Sequence, residues 1–455
     1  MAVATINRLI TLFDDAFRGL SVGVDLAESE RLAMVVQFAM DSKVRAYHTT
    51  AHIFGLCEGL NPHQTLAALF HDLVYYQLDD GPPKSTEGIL HGVVREHDGA
   101  LVLQPFGPDD SALALCAGVF DVVPGQTLLV YAGLNEFLSA VAAARLLQPL
   151  LPAHDVLAVV AGIEATIAFR ALAMDGTTSA DVLAARVLRQ CQRLAPTWTQ
   201  GACQAYTDQV LASAVHLANR DVGSFALDDS AAFLASTWLL IDESNAPLTR
   251  VGVYTLRQYR EVLVRMETFL GMLDPQTVFQ RWQGSPPPQE WAHLCAAATR
   301  NIAFACDFLD ARVASIAIIE ALAMGTGTDC PVSMFLGDIR SPQGHPHRVH
   351  DFLPEAPICA QVDADILEVF EKGRNLGASN NLAPSPLTAF VYRYMGVEGT
   401  RTALRHARDM FAGITTPQQF LRTQNREMVC AIILACSHLA LSRRVALQEL
   451  ARSLA

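Results

Sequence analysis

Apolar residues recur three and four positions apart along most of this chain, in Ala- and Leu-rich runs such as LNEFLSAVAAARLLQPLL (134–151), and that period constrains the fold before anything else does. Strand-like alternation is short and rare. LTRVGVY (248–254) and LLVYAG (128–133) could each form a strand, but both are easily absorbed into helices. The expected fold class is therefore all-α. Apolar residues make up 51% of the sequence and charged residues 17%, so there is ample material for a packed core and the chain does not read as disordered. A length of 455 residues suggests two or three domains or one enlarged helical domain.

Charge and cysteine usage narrow the function classes. Lys and Arg total 33 against 46 Asp and Glu, a formal net charge of −13, which argues against a protein whose task is gripping the phosphate backbone of nucleic acid. The ten cysteines are scattered, form no CxxC pair and fall partly in apolar helical runs such as MVCAIILACSHLAL. They read as free, buried thiols of a reducing compartment. In MAVATINRLITLFDDAF, acidic residues follow closely on a short apolar patch, unlike a signal peptide. No run approaches the ~18 uncharged apolar residues of a membrane span. A cytoplasmic protein without membrane or nucleic-acid partners is expected.

Punctuation falls at DDGPPKSTEG (79–88), QPFGPDD (104–110) and GSPPP (284–288), and a long Gly-, Pro- and His-rich stretch covers 324–357. The strongest chemical signal lies between residues 45 and 72. His48 and His52 are four apart, which puts them on one face of a helix. His71-Asp72 follows the apolar run LAALF (66–70), whose burial would leave the His-Asp step at a helix end. Imidazole with carboxylate suits iron, manganese or zinc better than calcium.

The order His…His-Asp…Asp resembles the signature of the HD superfamily of metal-dependent phosphohydrolases. Tyr47-His48-x-x-x-His52 is similar to the histidine motif of cyclic-nucleotide phosphodiesterases. It is still more similar to a bacterial group of predicted HD phosphohydrolases with Tyr-His-Asn-x-x-His followed by Phe-His-Asp-x-Val-Tyr. Phe70-His71-Asp72-Leu73-Val74-Tyr75 matches the second motif, while Thr49 replaces the Asn of the first. The resemblance implies three further pieces. Asn135-Glu136-x-x-Ser139-Ala140 fits the first, displaced by an insertion over about 80–130. IEATIAFR (163–170) fits the second loosely, and HLANRDVGSFA (216–226) offers Asp221 as the closing ligand, with Asp228 and Asp229 its nearest competitors. YTLRQYREVLVRM and ATRNIAFACDFL resemble the tail of that group. The implied architecture is an HD-type helical bundle over residues 1–310 and a C-terminal helical extension over 311–455, for which the resemblance implies no role.

Carried over residue by residue, His52, His71, Asp72 and Asp221 would hold a divalent transition metal (Mn, Fe, Zn, Co or Ni), one ion or two. His48 would be the general acid, and Glu136 a base or water-orienting carboxylate. Simpler readings stand beside these: Asp221 as a helix cap, His48 as a residue orienting a ligand, Glu136 in a buried salt bridge to Arg45 or Arg170. The implied activity is hydrolysis of a phosphate ester, a nucleotide or another small phosphorylated metabolite, by a metal-activated water. A diiron oxygenase on the same scaffold would need about two more histidines, and His91 and His97 in the insertion are poorly spaced for that. A non-catalytic metal-binding regulatory protein is the third reading. His154 and His216 read as a loop residue and a neighbour of Asp221. His345, His347 and His350 in GHPHRVHDF read as a surface loop. GTGTD (325–329) lacks the Lys-Ser/Thr ending of a phosphate-binding loop. The apolar composition leaves room for a homodimer interface.

Overall fold

The computed structural model describes residues 4–107, 109–244, 253–337, 347–376, 380–382 and 384–454. They form nineteen α-helices and five short strands, so the fold is all-α as expected. No described helix is long and apolar enough to cross a membrane. All ten cysteines are free; Cys306, Cys359 and Cys430 are partly exposed and the other seven are buried.

The chain divides into two compact units, residues 1–226 with 274–298, and residues 227–273 with 299–455. The division expected at 310 lies elsewhere: residues 227–273 and 299–310 group with the second unit.

The first unit opens with α1 (Thr5–Gly19) and α2 (Leu26–Met40), then α3 (Thr50–Leu56), α4 (Pro62–Phe70) and the single turn α5 (Tyr76–Asp79). The start of α4 is specified locally. Asn61 accepts from the Gln64 amide, the Gln64 side chain reaches back to the Asn61 amide, and Pro62 occupies the first turn, where no N–H is needed. From Gln64 to Phe70 every residue is buried, and each large apolar side chain among them contributes about 1.5–3 kcal/mol by leaving water.

The inserted region follows as β1 (Val94–His97), β2 (Ala100–Leu103), α6 (Ser111–Phe120) and β3 (Thr127–Leu128). The strands make a small antiparallel sheet in the order β1-β2-β3, with Val94 opposite Leu103 and Leu101 opposite Leu128. Asp98 and Gly99 turn the hairpin with φ of +50° and +76°, the geometry for which an Asp-Gly pair is preferred. LLVYAG thus splits between the end of β3 and a 3-10 turn over Val130–Ala132, and is not drawn into a helix. Most of LTRVGVY lies outside the described residues.

Four longer helices complete the unit: α7 (Leu134–Leu147), α8 (Ala153–Ala165), α9 (Ser179–Leu194) and α10 (Gln200–Asp221). Helix α4 is central, packed against α1, α7, α8 and α10. Its contact with α8 depends on Gly162, where a Cβ would lie 2.9 Å from the Ala67 methyl and 3.6 Å from a methyl of Leu217 on α10.

The second unit contains α11 (Ser230–Ser244), α12 (Leu256–Met272), most of α13 (Pro288–Thr326), α14 (Val332–Leu336), α15 (Ala364–Lys372), a pairing of β4 (Arg374–Leu376) with β5 (Asn380–Leu382), and α16 (Pro386–Phe411), α17 (Pro417–Arg422), α18 (Arg426–Leu439) and α19 (Arg444–Leu454). Phe308 and Phe370 stack at its centre with ring centroids 4.4 Å apart. The stretch read as non-periodic from 324 is in part helical, since α13 runs to Thr326 and α14 follows. Arg443 donates to the Ala323 and Thr328 carbonyls at 2.6 and 2.9 Å, so a side chain from elsewhere closes off the end of α13 and the GTGTD segment. His347 and His350 lie beside Asp351 at 3.8 and 3.7 Å, and His345 is outside the described residues.

Replacing Gly162 with Val forces α8 away from α4. We expect a loss of about 1–3 kcal/mol, the usual cost of overfilling a packed contact, read as a lower midpoint in thermal or urea denaturation.

Candidate metal centre

Each candidate ligand sits at or just beyond a helix end. His52 is in the first turn of α3, His71 is the residue that closes α4, Asp72 follows it, and Asp221 is the last residue of α10. The local reasons are plain. LAALF drives α4 into the core, so its end delivers His71 nearly completely buried, while α10 is started by Thr199, which caps the Ala202 amide, and runs to Asp221. The closing carbonyls of α4 and α10 place the negative ends of two helix dipoles beside the group.

The four side chains converge. His71 Nε2 lies 2.9 Å from Asp72 Oδ2 and 3.3 Å from Asp221 Oδ1. His52 Nε2 is 2.9 Å from Asp221 Oδ1 and 3.8 Å from Asp72 Oδ2. Donor atoms of His52, His71 and Asp72 all fall within 4.8 Å of one another, the only such cluster of three His, Cys, Asp or Glu among the described residues. His91, His97, His347 and His350 belong to no such cluster. His52, Asp72 and Asp221 keep 15–17% side-chain exposure, against 2% for His71, so the group is not sealed from solvent.

The donor chemistry fits a cation. His71 Nδ1 is 2.8 Å from the Ala68 carbonyl, which can only accept, so Nδ1 carries a proton and Nε2 is the nitrogen left facing the two carboxylates. Nε2 is buried and makes no aligned hydrogen bond despite the short distances. Without a cation the group must find positive charge by protonation. Burial opposes charge on His71, but the fields of Asp72 and Asp221 outweigh it and hold the imidazole well above the usual histidine range. Burial likewise works against ionised Asp72 and Asp221, and the charge on His71 reverses this, pulling both carboxyls below the usual carboxylate range. A divalent ion among these oxygens would take the place of that proton.

His48 departs from the expected arrangement. Helix α3 begins only at Thr50, and the extended backbone of Thr49 (φ −119°, ψ 171°) separates the two histidines, so they do not share a helix face. Its ring instead lies against Tyr75 (centroids 4.6 Å) and Tyr47 (5.0 Å), with the His52 ring 6.4 Å away.

Glu136 sits in the first turn of α7. Burial pushes its carboxyl up to about 7, against a small opposing pull from its own backbone; Asp72 and Asp221 push it the same way and His71 opposes them. Neither salt bridge that would have made Glu136 purely structural is present, because Arg45 pairs with Asp79 and Arg170 with Glu164. The residues around it have a different duty. Ser139 Oγ accepts from the Val74 amide at 3.0 Å, and Asn135 Oδ1 accepts from the Tyr76 amide at 2.9 Å, so the Asn-Glu-x-x-Ser segment holds the turn that follows His71-Asp72.

Of the remaining candidates, Asp229 caps α11 through the Ala231 and Ala232 amides. His154 lies in the first turn of α8, not in a loop, and its ring faces Trp198 and Tyr206. His216 Nδ1 takes up the Gln64 side-chain amide at 3.0 Å. Sequence reasoning missed Gln280, whose backbone amide donates to the Asn219 side-chain Oδ1 (2.7 Å) and whose side-chain amide donates to the Ala165 carbonyl (2.7 Å), bracing the ends of α10 and α8; GSPPP just beyond it signals only a break.

No family model matches the chain, and no curated protein or solved structure is detectably similar to it.

The position of Glu136 has a sign that can be measured in chelator-treated protein. Its carboxyl is raised because the fold disfavours its charge, so stability is lost as pH climbs from its ordinary 4.5 through about 7. Glu136→Gln should melt several degrees higher than wild type at pH 8 and close to it at pH 4, with roughly 3 kcal/mol as the upper limit.

Proposed function

We propose that this chain is a metal-dependent phosphohydrolase of the HD type, acting on a nucleotide or another small phosphorylated metabolite. The observation that carries the proposal is the buried His71 Nε2, 2.9 and 3.3 Å from two carboxylates without an aligned hydrogen bond, while Nδ1 is engaged by the Ala68 carbonyl. His52, His71, Asp72 and Asp221 would hold a divalent transition metal. Bound there, the ion supplies Lewis acidity, lowering the pKa of water and taking up charge on phosphoryl oxygens.

The chain's own residues divide the remaining work. Glu136, raised to about 7, is poised near neutrality to accept a proton from water. To His48, whose ring is steadied against Tyr47 and Tyr75, we assign protonation of the leaving oxygen. Asn135 and Ser139 keep the Asp72–Tyr76 turn fixed while the His-Asp pair binds. The acidic net charge of −13 favours small phosphorylated substrates neutralised locally over a polyanion needing an extended basic surface.

The deciding experiment measures metal in the purified protein and in the His71→Ala/Asp72→Ala variant, followed by hydrolysis of nucleotides and phosphomonoesters. Near-stoichiometric metal, lost with activity in the double variant, is expected. A wild type that stays metal-free after incubation with Mn, Fe, Zn, Co and Ni would sink the proposal. Given an active substrate, His48→Gln should keep its metal and lose about 10²–10⁴-fold in kcat, the typical contribution of a general acid.

A further inference from the structure

We infer that Arg45, paired with Asp79, is a positioning residue that fixes the carboxylate of Asp72; this rests on the metal-binding reading above. The Arg45 side chain is completely buried and that of Asp79 is 7% exposed. Arg45 Nη2 meets Asp79 Oδ2 at 2.5 Å and Nε approaches Oδ1 at 3.3 Å, a two-point contact between planar groups. The rest of the guanidinium faces the turn after α4. Nη1 donates to the Asp72 carbonyl at 2.8 Å with Met40 Sδ 3.0 Å away, and Nη2 reaches the Leu73 carbonyl at 3.4 Å.

Those carbonyls come just after the last turn of α4, where the helix offers them no N–H partner. A cation there is favoured by the negative end of the helix dipole. The carbonyl that Arg45 grips belongs to the same residue whose carboxylate lies 2.9 Å from His71 Nε2. Carbonyl and carboxylate hang from the same Cα, so a backbone held at the one limits where the other can go. From the other side Ser139 and Asn135 hold the amides of Val74 and Tyr76. The turn is therefore gripped by its carbonyls from Arg45 and by its amides from α7. Asp79 is needed because an unpaired guanidinium would be costly so far from water. A lysine would lack the planar fork that reaches an acid and two carbonyls at once.

A merely structural pair and a positioning pair part company when both members are removed together. In the full chain, stripped with chelator, Mn2+ or Zn2+ is titrated and free metal is read with a competing indicator, while thermal denaturation of the metal-free protein reports the fold. The Arg45→Met/Asp79→Leu variant leaves no unpaired charge and should fold, melting below wild type by no more than the two orphaned carbonyls cost. It should nevertheless bind metal at least about 10-fold more weakly, the range found when partners of metal ligands are lost. Arg45→Lys keeps the charge opposite Asp79 and loses the grip on the carbonyls, so it should be weakened too, and it decides the matter if the double variant does not fold. Wild-type metal affinity in either folded variant overturns the inference. A wild type that holds neither ion is a different result, since it removes the metal-binding reading beneath.

Discussion

Two carboxylates brought together at the edge of a helical core are the constraint on which the first unit depends. Asp72 and Asp221 both approach the same nitrogen of His71, at 2.9 and 3.3 Å. Like charges at such separations need a counter-charge, and partial burial makes the need sharper. The closing ends of α4 and α10 add negative potential beside the two carboxylates. In the metal-free chain His71 meets that need by staying charged, and the packing of α4 against α10 brings it to both carboxylates. Where α4 ends, and how closely α8 can approach it at Gly162, therefore matter to the chemistry as well as to the core.

The turn after α4 is where backbone accounting and chemistry meet. Residues 72–76 leave the helix ladder inside the protein, where unpaired N–H and C=O groups are costly. Arg45 takes two of the carbonyls, and Ser139 and Asn135 take two of the amides. A motif that reads as catalytic thus contains two residues whose visible contacts are architectural, with Glu136 between them as the titratable member.

How much of this the sequence disclosed differs from element to element. The buried face and end of the α4 helix were legible in LAALF, while its start at Asn61-Pro62-x-Gln64 was not singled out. The grouping of His52, His71, Asp72 and Asp221 was implied by the resemblance to the HD signature, although Asp221 could be told from Asp229 only when α10 was seen to end beside His71. The helix face expected to carry both His48 and His52 was misjudged because spacing of four was read as helical, whereas α3 starts after His48. The Asp98-Gly99 hairpin carried a standard turn signal that the dominant helical period obscured. Arg45 was beyond reach, because its partner Asp79 and its carbonyl acceptors lie 27–34 residues away and no local pattern links them.

The discontinuity of the first unit has a consequence for how the protein is made. Residues 274–298 belong to the same compact body as residues 1–226, and Gln280 ties the Ala165 carbonyl to Asn219, two residues before Asp221. A ribosome that has released Asp221 from its exit tunnel has therefore supplied all four donor residues without the brace behind them. Some sixty further residues must emerge before Gln280 arrives. Synthesis thus imposes a sequence of events, donors first and support later, and a nascent chain paused in between would expose its histidines and carboxylates to any passing metal before their geometry is set.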